Sequence, residues 1–149
     1  MTDNMEAFLD MIAASEGTPK YGEKNGYDVI VGGTLFTDFS DHPRQRIEVK
    51  PGLWSTAAGR YQVLARYFDA YQKMLQLADF SPTSQDAIAV QQIKESRAFG
   101  DVQAGRIEAA IGKCAHIWAS LPGAGYGQHE NKLATLLASY EEAGGSISI

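Results

Sequence analysis

Apolar residues recur at two different periods along this chain, and the order in which those periods alternate restricts the folds open to it. Met5, Phe8, Leu9 and Ile12 recur at helical spacing, and Gly17 with Pro19 stops the run. The spacing predicts a helix over residues 4–15, capped by Asp3 or Asn4. From Gly26 the pattern changes. Tyr-Asp-Val-Ile-Val at 27–31, the pair Gly32 and Gly33, and Leu-Phe-Thr-Asp-Phe at 35–39 read as β-rich runs joined by a glycine turn. Residues 46–49 add a third short strand before Pro51 and Gly52 break it. Beyond Gly59 the helical period returns, with Tyr61, Leu64, Phe68, Tyr71 and Leu75 on one side. Ser81 before Pro82 is a helix start, and that helix runs through Ala87, Ile88 and Ile93. Ile107, Ala110, Ile111, Cys114 and Trp118 mark another, ended by Pro122 and Gly123; Leu133, Leu136, Leu137 and Tyr140 mark the last, with Gly144 and Gly145 beyond its end. Helix, small sheet, then helices is an α+β order. A chain of 149 residues with 44% hydrophobic content suits one domain over 1–149, divided into two lobes by a cleft.

Charge and cysteine usage exclude several function classes. The net charge is -5 and the 13 Lys and Arg are scattered, whereas binding to nucleic acid needs a concentrated basic face. Apolar runs such as residues 29–31 are too short to span a bilayer, and the acidic start of the chain does not suit a signal peptide, so cytoplasmic synthesis without membrane insertion is expected. The lone Cys114 excludes an internal disulfide, and its place on an apolar helical stripe makes it a buried structural thiol. His42, His116 and His129 show no metal-ligand spacing, so neither a metal nor another cofactor is expected. There is no G-x-S-x-G nucleophile elbow, and the glycines at 123, 125 and 127 lack the ending of a phosphate loop.

What remains is Glu16. Four residues beyond Ile12, it lies at the inner edge of the apolar face of the first helix and at that helix's negative end. Partial burial and the helix end both disfavour the charged carboxylate and raise its pKa. A carboxylic acid kept protonated near neutrality can donate a proton to a leaving glycosidic oxygen. From the residues alone, a solvent-facing Glu at a frayed helix end is an equal alternative. Tyr27, Phe39, Trp54, Tyr61 and Tyr126 can stack on sugar faces or fill a core. Gln62 can hold a sugar amide or stand exposed. Asp28, Asp38 and Asp41 can supply a second carboxylate or satisfy local turns.

Several segments carry a family resemblance. They are Ala-Ser-Glu-Gly-Thr at 14–18, Gly-Tyr-Asp-Val-Ile-Val-Gly-Gly at 26–33, Leu-Phe-Thr-Asp at 35–38, Ser-Asp-His-Pro-Arg at 40–44 and Ala-Gly-Arg-Tyr-Gln at 58–62. They continue as Asp-Phe-Ser-Pro at 79–82, Ser-Gln-Asp-Ala at 84–87, Ile-Trp-Ala-Ser-Leu-Pro-Gly-Ala-Gly-Tyr-Gly-Gln at 117–128 and Glu-Ala-Gly-Gly at 142–145. In this order, over nearly the whole chain, they resemble the phage lambda endolysin family of lysozyme-like peptidoglycan lytic transglycosylases. The chain departs from that pattern at a shorter N-terminus and over residues 19–25 and 96–105. The resemblance implies a lysozyme-like fold with a cleft between a helical lobe and a small β lobe, and it puts Glu16 at the position of the single catalytic acid. Residues 57–62 are also similar to the Ala-x-Gly-x-x-Gln element of broader lytic transglycosylases, which implies that Gln62 faces substrate. Tyr61 beside it is a further substrate-binding candidate, and Tyr126 is similar to a tyrosine lining the family's cleft.

The implied reaction cleaves the β-1,4 bond between N-acetylmuramic acid and N-acetylglucosamine in bacterial peptidoglycan, forming 1,6-anhydro-N-acetylmuramic acid and lysing the host. A holin is then expected to open the inner membrane and release the enzyme from the host cytoplasm to the periplasm, without direct contact. Nothing requires an oligomer, so a monomer is expected. Two rival readings are a hydrolytic muramidase pairing Glu16 with Asp28 or Asp38, and a silent peptidoglycan-binding module. Retention of Glu16 in its matching segment argues against the silent module.

Overall fold

A computed structural model describes residues 1–125 and 130–148. The chain forms two compact units, one of Met1–Glu16 with Ala89–Ile149 and the other of Gly17–Ile88. The first is helical. It contains α1 (Asp3–Glu16), the later turns of α3 (Pro82–Glu95), α4 (Phe99–Ala104), α5 (Ile107–Cys114) and α6 (Leu133–Glu142).

α1 covers the segment that the spacing predicts, but it is buried more completely than a single stripe implies. Ala7, Met11, Ala13 and Ser15 are buried along with Met5, Phe8, Leu9 and Ile12. An apolar surface nearly all round marks a core helix, and α1 packs against both α6 and α4. Its cap is Thr2, whose Oγ1 accepts the Met5 amide at 3.2 Å, not Asp3 or Asn4. Asn4 is spent elsewhere: its Nδ2 reaches the carbonyl of Val102 at 3.3 Å, and its Oδ1 accepts the Ser146 amide at 3.0 Å. Gly17, at φ 78°, ends α1 in the left-handed conformation open to glycine.

α4 escapes the sequence pattern because one short turn and a half gives too few apolar positions to show a period. α5 ends at Cys114, earlier than the apolar stripe suggests. Trp118 nevertheless stays in the core, its amide still bonded to the Cys114 carbonyl at 3.2 Å. Cys114 is fully buried, and burial pushes its thiol up to about 12.

The second unit is mostly irregular backbone around an aromatic core. Ile30, Phe36, Ala58, Val63, Phe68, Phe80 and Ile88 form that core, with Tyr71 and Leu75 packed against it. His42 is buried among them, its ring 4.9 Å from Phe80 and 5.9 Å from Phe68. β1 (Ile47–Lys50) and β2 (Leu53–Ser55) pair antiparallel, with Ile47 opposite Ser55. Pro51 and Gly52 therefore form the hairpin turn instead of ending the sheet.

The runs predicted as strands at 27–31 and 35–39 form isolated bridges, Val29 with Leu35 and Ile30 with Ala58, in place of strands. Ile30 donates instead to Thr34 at 2.7 Å, and Gly33 to Ile30 at 2.9 Å, which closes a tight loop before a ladder can extend. The next helix, α2 (Ala65–Leu75), starts later than the apolar spacing from Tyr61 suggests. Gln62 adopts φ 55° and Val63 bridges back to Ala58, both incompatible with a helix through that stretch. Ser81 does cap α3, its Oγ accepting the Ser84 amide at 3.4 Å.

Candidate active site

Glu16 is the last residue of α1, and its side chain is half-buried. Ser120 Oγ donates to Glu16 Oε2 at 2.5 Å. Behind it, Ser15 Oγ and Ser120 Oγ are 2.8 Å apart, and Asn131 Nδ2 donates to Ser15 Oγ at 3.1 Å and to the Ser15 carbonyl at 3.0 Å. The Asn131 amide also donates to the Ser120 carbonyl at 2.8 Å, which ties the two ends of the 120–131 segment together. These partners are all uncharged. Burial raises the pKa of Glu16, and the Ser120 hydroxyl opposes part of that rise by favouring the carboxylate. The arrangement suits a group that holds its proton to higher pH than an exposed carboxyl does and gives it up to a basic oxygen.

Sequence patterning does not single out Ser15, Ser120 or Asn131. Ser120 lies 104 positions from Glu16, and only packing of α1 against the rest of its unit joins them. The available signal is that Ser15 and Ser120 fall inside two of the segments that carry the family resemblance.

In the second unit, Gln62 is half-buried, and its Nε2 donates to the carbonyls of Val29 at 3.2 Å and Gly59 at 2.9 Å. Its donor end braces the turn on which it sits, leaving Oε1 as the group for any external donor. Tyr61 has a different setting from the substrate contact expected of it. It is only 5% exposed, donates from its hydroxyl to Asp86 Oδ1 at 2.6 Å, and accepts from Arg60 at 2.9 Å. Tyr27 donates to the same Asp86 oxygen at 2.9 Å. Gly59 permits this cluster: with φ +86°, a Cβ there would lie 2.5 Å from Gln85 Oε1, the atom that accepts the Arg60 amide. Tyr61 is thus buried, with its hydroxyl committed within the cluster. Tyr126 lies outside the described residues.

The three aspartates proposed as second carboxylates separate clearly. Asp41 pairs with Arg44 at 2.9 Å, and Asp38 accepts the Ser40 amide at 2.9 Å in a local turn. Asp28 is buried at 5% exposure, and its Oδ1 has no hydrogen-bond partner among the described residues.

Comparison with known proteins matches the chain to one family. The Endolysin family model matches residues 6–147. The endolysin of Escherichia phage lambda is 57% identical over 150 residues, which span 99% of this chain and 95% of that protein. The endolysin of Escherichia phage P2 is 50% identical over 154 residues, covering 95% and 93% respectively. Among solved structures, bacteriophage lambda lysozyme complexed with a chitohexasaccharide superposes with a TM-score of 0.97 at 56% identity, over 99% of this chain and 98% of that one. A second structure of the lysozyme from bacteriophage lambda gives 0.93 at 55% identity, with the same coverage. The α+β fold is therefore the lysozyme-like one, and the chain belongs to the endolysin family of lysozyme-type, peptidoglycan-degrading enzymes.

Proposed function

We propose that this endolysin cuts the β-1,4 bond between N-acetylmuramic acid and N-acetylglucosamine by lytic transglycosylation, with Glu16 as its one acid and base and 1–149 as a single catalytic domain. The observation that carries this reading is the setting of Glu16: a half-buried carboxyl whose pKa is raised by burial and whose bonded neighbours are neutral. Glu16 gives its proton to the glycosidic oxygen as the C1–O bond breaks. The carboxylate then takes the proton of the muramyl 6-hydroxyl while that oxygen bonds to C1, which regenerates the acid without water. Ring closure is intramolecular, so orientation replaces the positioned water or nucleophile of a hydrolase. The chitohexasaccharide held by the lambda lysozyme supports a chain of N-acetylated sugars as ligand here as well. Gln62 serves this ligand through Oε1, Tyr126 is retained as a contact on the family resemblance, and Tyr61 is left out because it is buried.

A hydrolytic muramidase is the second reading, favoured by buried Asp28, whose Oδ1 has no hydrogen-bond partner among the described residues. Mass spectrometry of sacculi digested in heavy-oxygen water separates the two. Transglycosylation gives 1,6-anhydro ends, lighter by one water and free of label. Reducing ends carrying the heavy oxygen reject it and turn attention to Asp28.

No helix among the described residues is long and apolar enough to cross a membrane. With that, we propose that a holin lesion admits the enzyme to the cell wall. Expressed without a holin, the chain is expected to leave cells with intact membranes unlysed, and lysis under those conditions rejects this step.

A further inference from the structure

The neutral atoms around Glu16 form a chain whose direction can be read from their chemistry. Asn131 Nδ2 lies 3.0 Å from the Ser15 carbonyl and 3.4 Å from the Ser120 carbonyl. Carbonyl oxygens only accept, so the atom facing them is the amide nitrogen and the orientation of the Asn131 side chain is settled. That nitrogen has two protons, and its two nearest oxygens are the Ser15 carbonyl at 3.0 Å and Ser15 Oγ at 3.1 Å, so the Ser15 hydroxyl is an acceptor. Ser15 then turns its own single proton to Ser120 Oγ, 2.8 Å away. Ser120, having accepted from Ser15, sends its proton to Glu16 Oε2. Every hydroxyl in this order gives once and accepts once. A proton on Oε2 would need Ser120 Oγ as its acceptor, which turns the Ser120 proton away from Glu16 and leaves one hydroxyl proton of the Ser15 and Ser120 pair without an acceptor in this chain.

We propose that Asn131 and Ser15 polarise Ser120 to donate to Oε2 of Glu16 throughout the reaction, so that Oε1 alone carries and delivers the catalytic proton. Asn131, Ser15 and Ser120 are positioning residues for Glu16, and the inference rests on Glu16 being the acid. Through the cycle, the proton leaves Oε1 for the glycosidic oxygen, and the proton of the 6-hydroxyl returns to Oε1. The bond from Ser120 to Oε2 is made in both states, and it keeps the carboxyl plane fixed while the charge appears and disappears. A carboxyl free to rotate would divide its proton between two oxygens, only one of which is aimed at substrate.

Neutron diffraction from deuterated crystals, at a pH below the titration of Glu16, reads the arrangement directly. Deuterium on Oε1, with the Ser120 deuteron toward Oε2, is the expected map; deuterium on Oε2 overturns the proposal. In solution, Ser120→Ala is expected to lower kcat by about ten- to a hundredfold with KM within about twofold, as for a misaligned catalytic group. The carboxyl carbon resonance of Glu16 should titrate at higher pH in that variant, because a bond favouring the carboxylate is lost. Ser120→Thr keeps the hydroxyl and should restore both. A folded Ser120→Ala protein with unchanged kcat and an unmoved Glu16 titration rejects the relay. Glu16→Gln separates the two ideas: an inactive Glu16→Gln beside an unaffected Ser120→Ala removes the relay alone, and an active Glu16→Gln removes the acid itself.

Discussion

Two carboxylates of the helical unit are treated in opposite ways. Glu16, at the end of α1, is met by a serine hydroxyl and, through it, by another serine and an asparagine. Asp101, in α4, is 7% exposed and accepts from Lys113 Nζ at 2.6 Å and Arg106 Nε at 2.8 Å. Burial holds Glu16 above the ordinary carboxylate range, whereas the Lys113 bond and then the Arg106 bond hold Asp101 below it. The difference lies in the partners. Removal from water alone disfavours charge, but a cation within hydrogen-bond reach more than reverses that, and a neutral donor only softens it. One carboxylate is thereby equipped to carry a proton and the other to fasten α4 to α5.

The largest effect that can break this comparison is on activity. Glu16→Gln keeps shape and neutrality but has no proton to give, so cleavage of sacculi should fall by about 10²–10⁴-fold with the circular dichroism spectrum unchanged. Next in size is the pH profile of the native enzyme. With Glu16 as the proposed acid, kcat should persist above the ordinary carboxylate range and then fall about tenfold per pH unit once Glu16 ionises. A profile that falls through the ordinary range detaches activity from Glu16.

Asp101→Asn tests the other side. It should lower the thermal midpoint by about a few degrees at neutral pH with kcat unchanged. A depressed folded-state pKa gives stability that is present above the unfolded pKa and is lost as pH falls through the folded one, so the gap between variant and native should close in acid. An equal gap at all pH values rejects the ion pair as its cause. The smallest effect has the reverse sign. The raised pKa of Glu16 means that the folded state binds the proton more tightly than the unfolded state, so stability declines as pH rises from the unfolded to the folded value. Glu16→Gln should therefore be slightly more stable than native above that window and no more stable below it. Paired melting curves across pH check this.

How far the sequence reveals each region depends on the range of the interactions that build it. Glu16 is visible because its position relative to Ile12 and Gly17 is a local matter of helical spacing and a glycine stop. The same holds for α3, announced by Ser81 and Pro82, and for the α+β order of periods. The second unit was less legible: the β-rich composition at 27–39 yields a loop, since Gly32 and Gly33 turn the chain too tightly for a ladder, and the regular hairpin forms around Pro51 and Gly52 instead. Tyr61 shows the limit most plainly. In the sequence it can be read as a sugar-stacking or as a core aromatic, and the bonds to Asp86 and Arg60 hold it inside.

By itself, then, the sequence determined the helical frame, the class of fold and the carboxylate at the end of α1, because these follow from residues within a few turns of one another. The tertiary structure alone decided what that carboxylate meets. Ser120 reaches it, and Asn131 reaches Ser15 beside it, across more than 100 positions of chain, and neither a hydroxyl nor an amide carries a periodic signature that would announce the encounter.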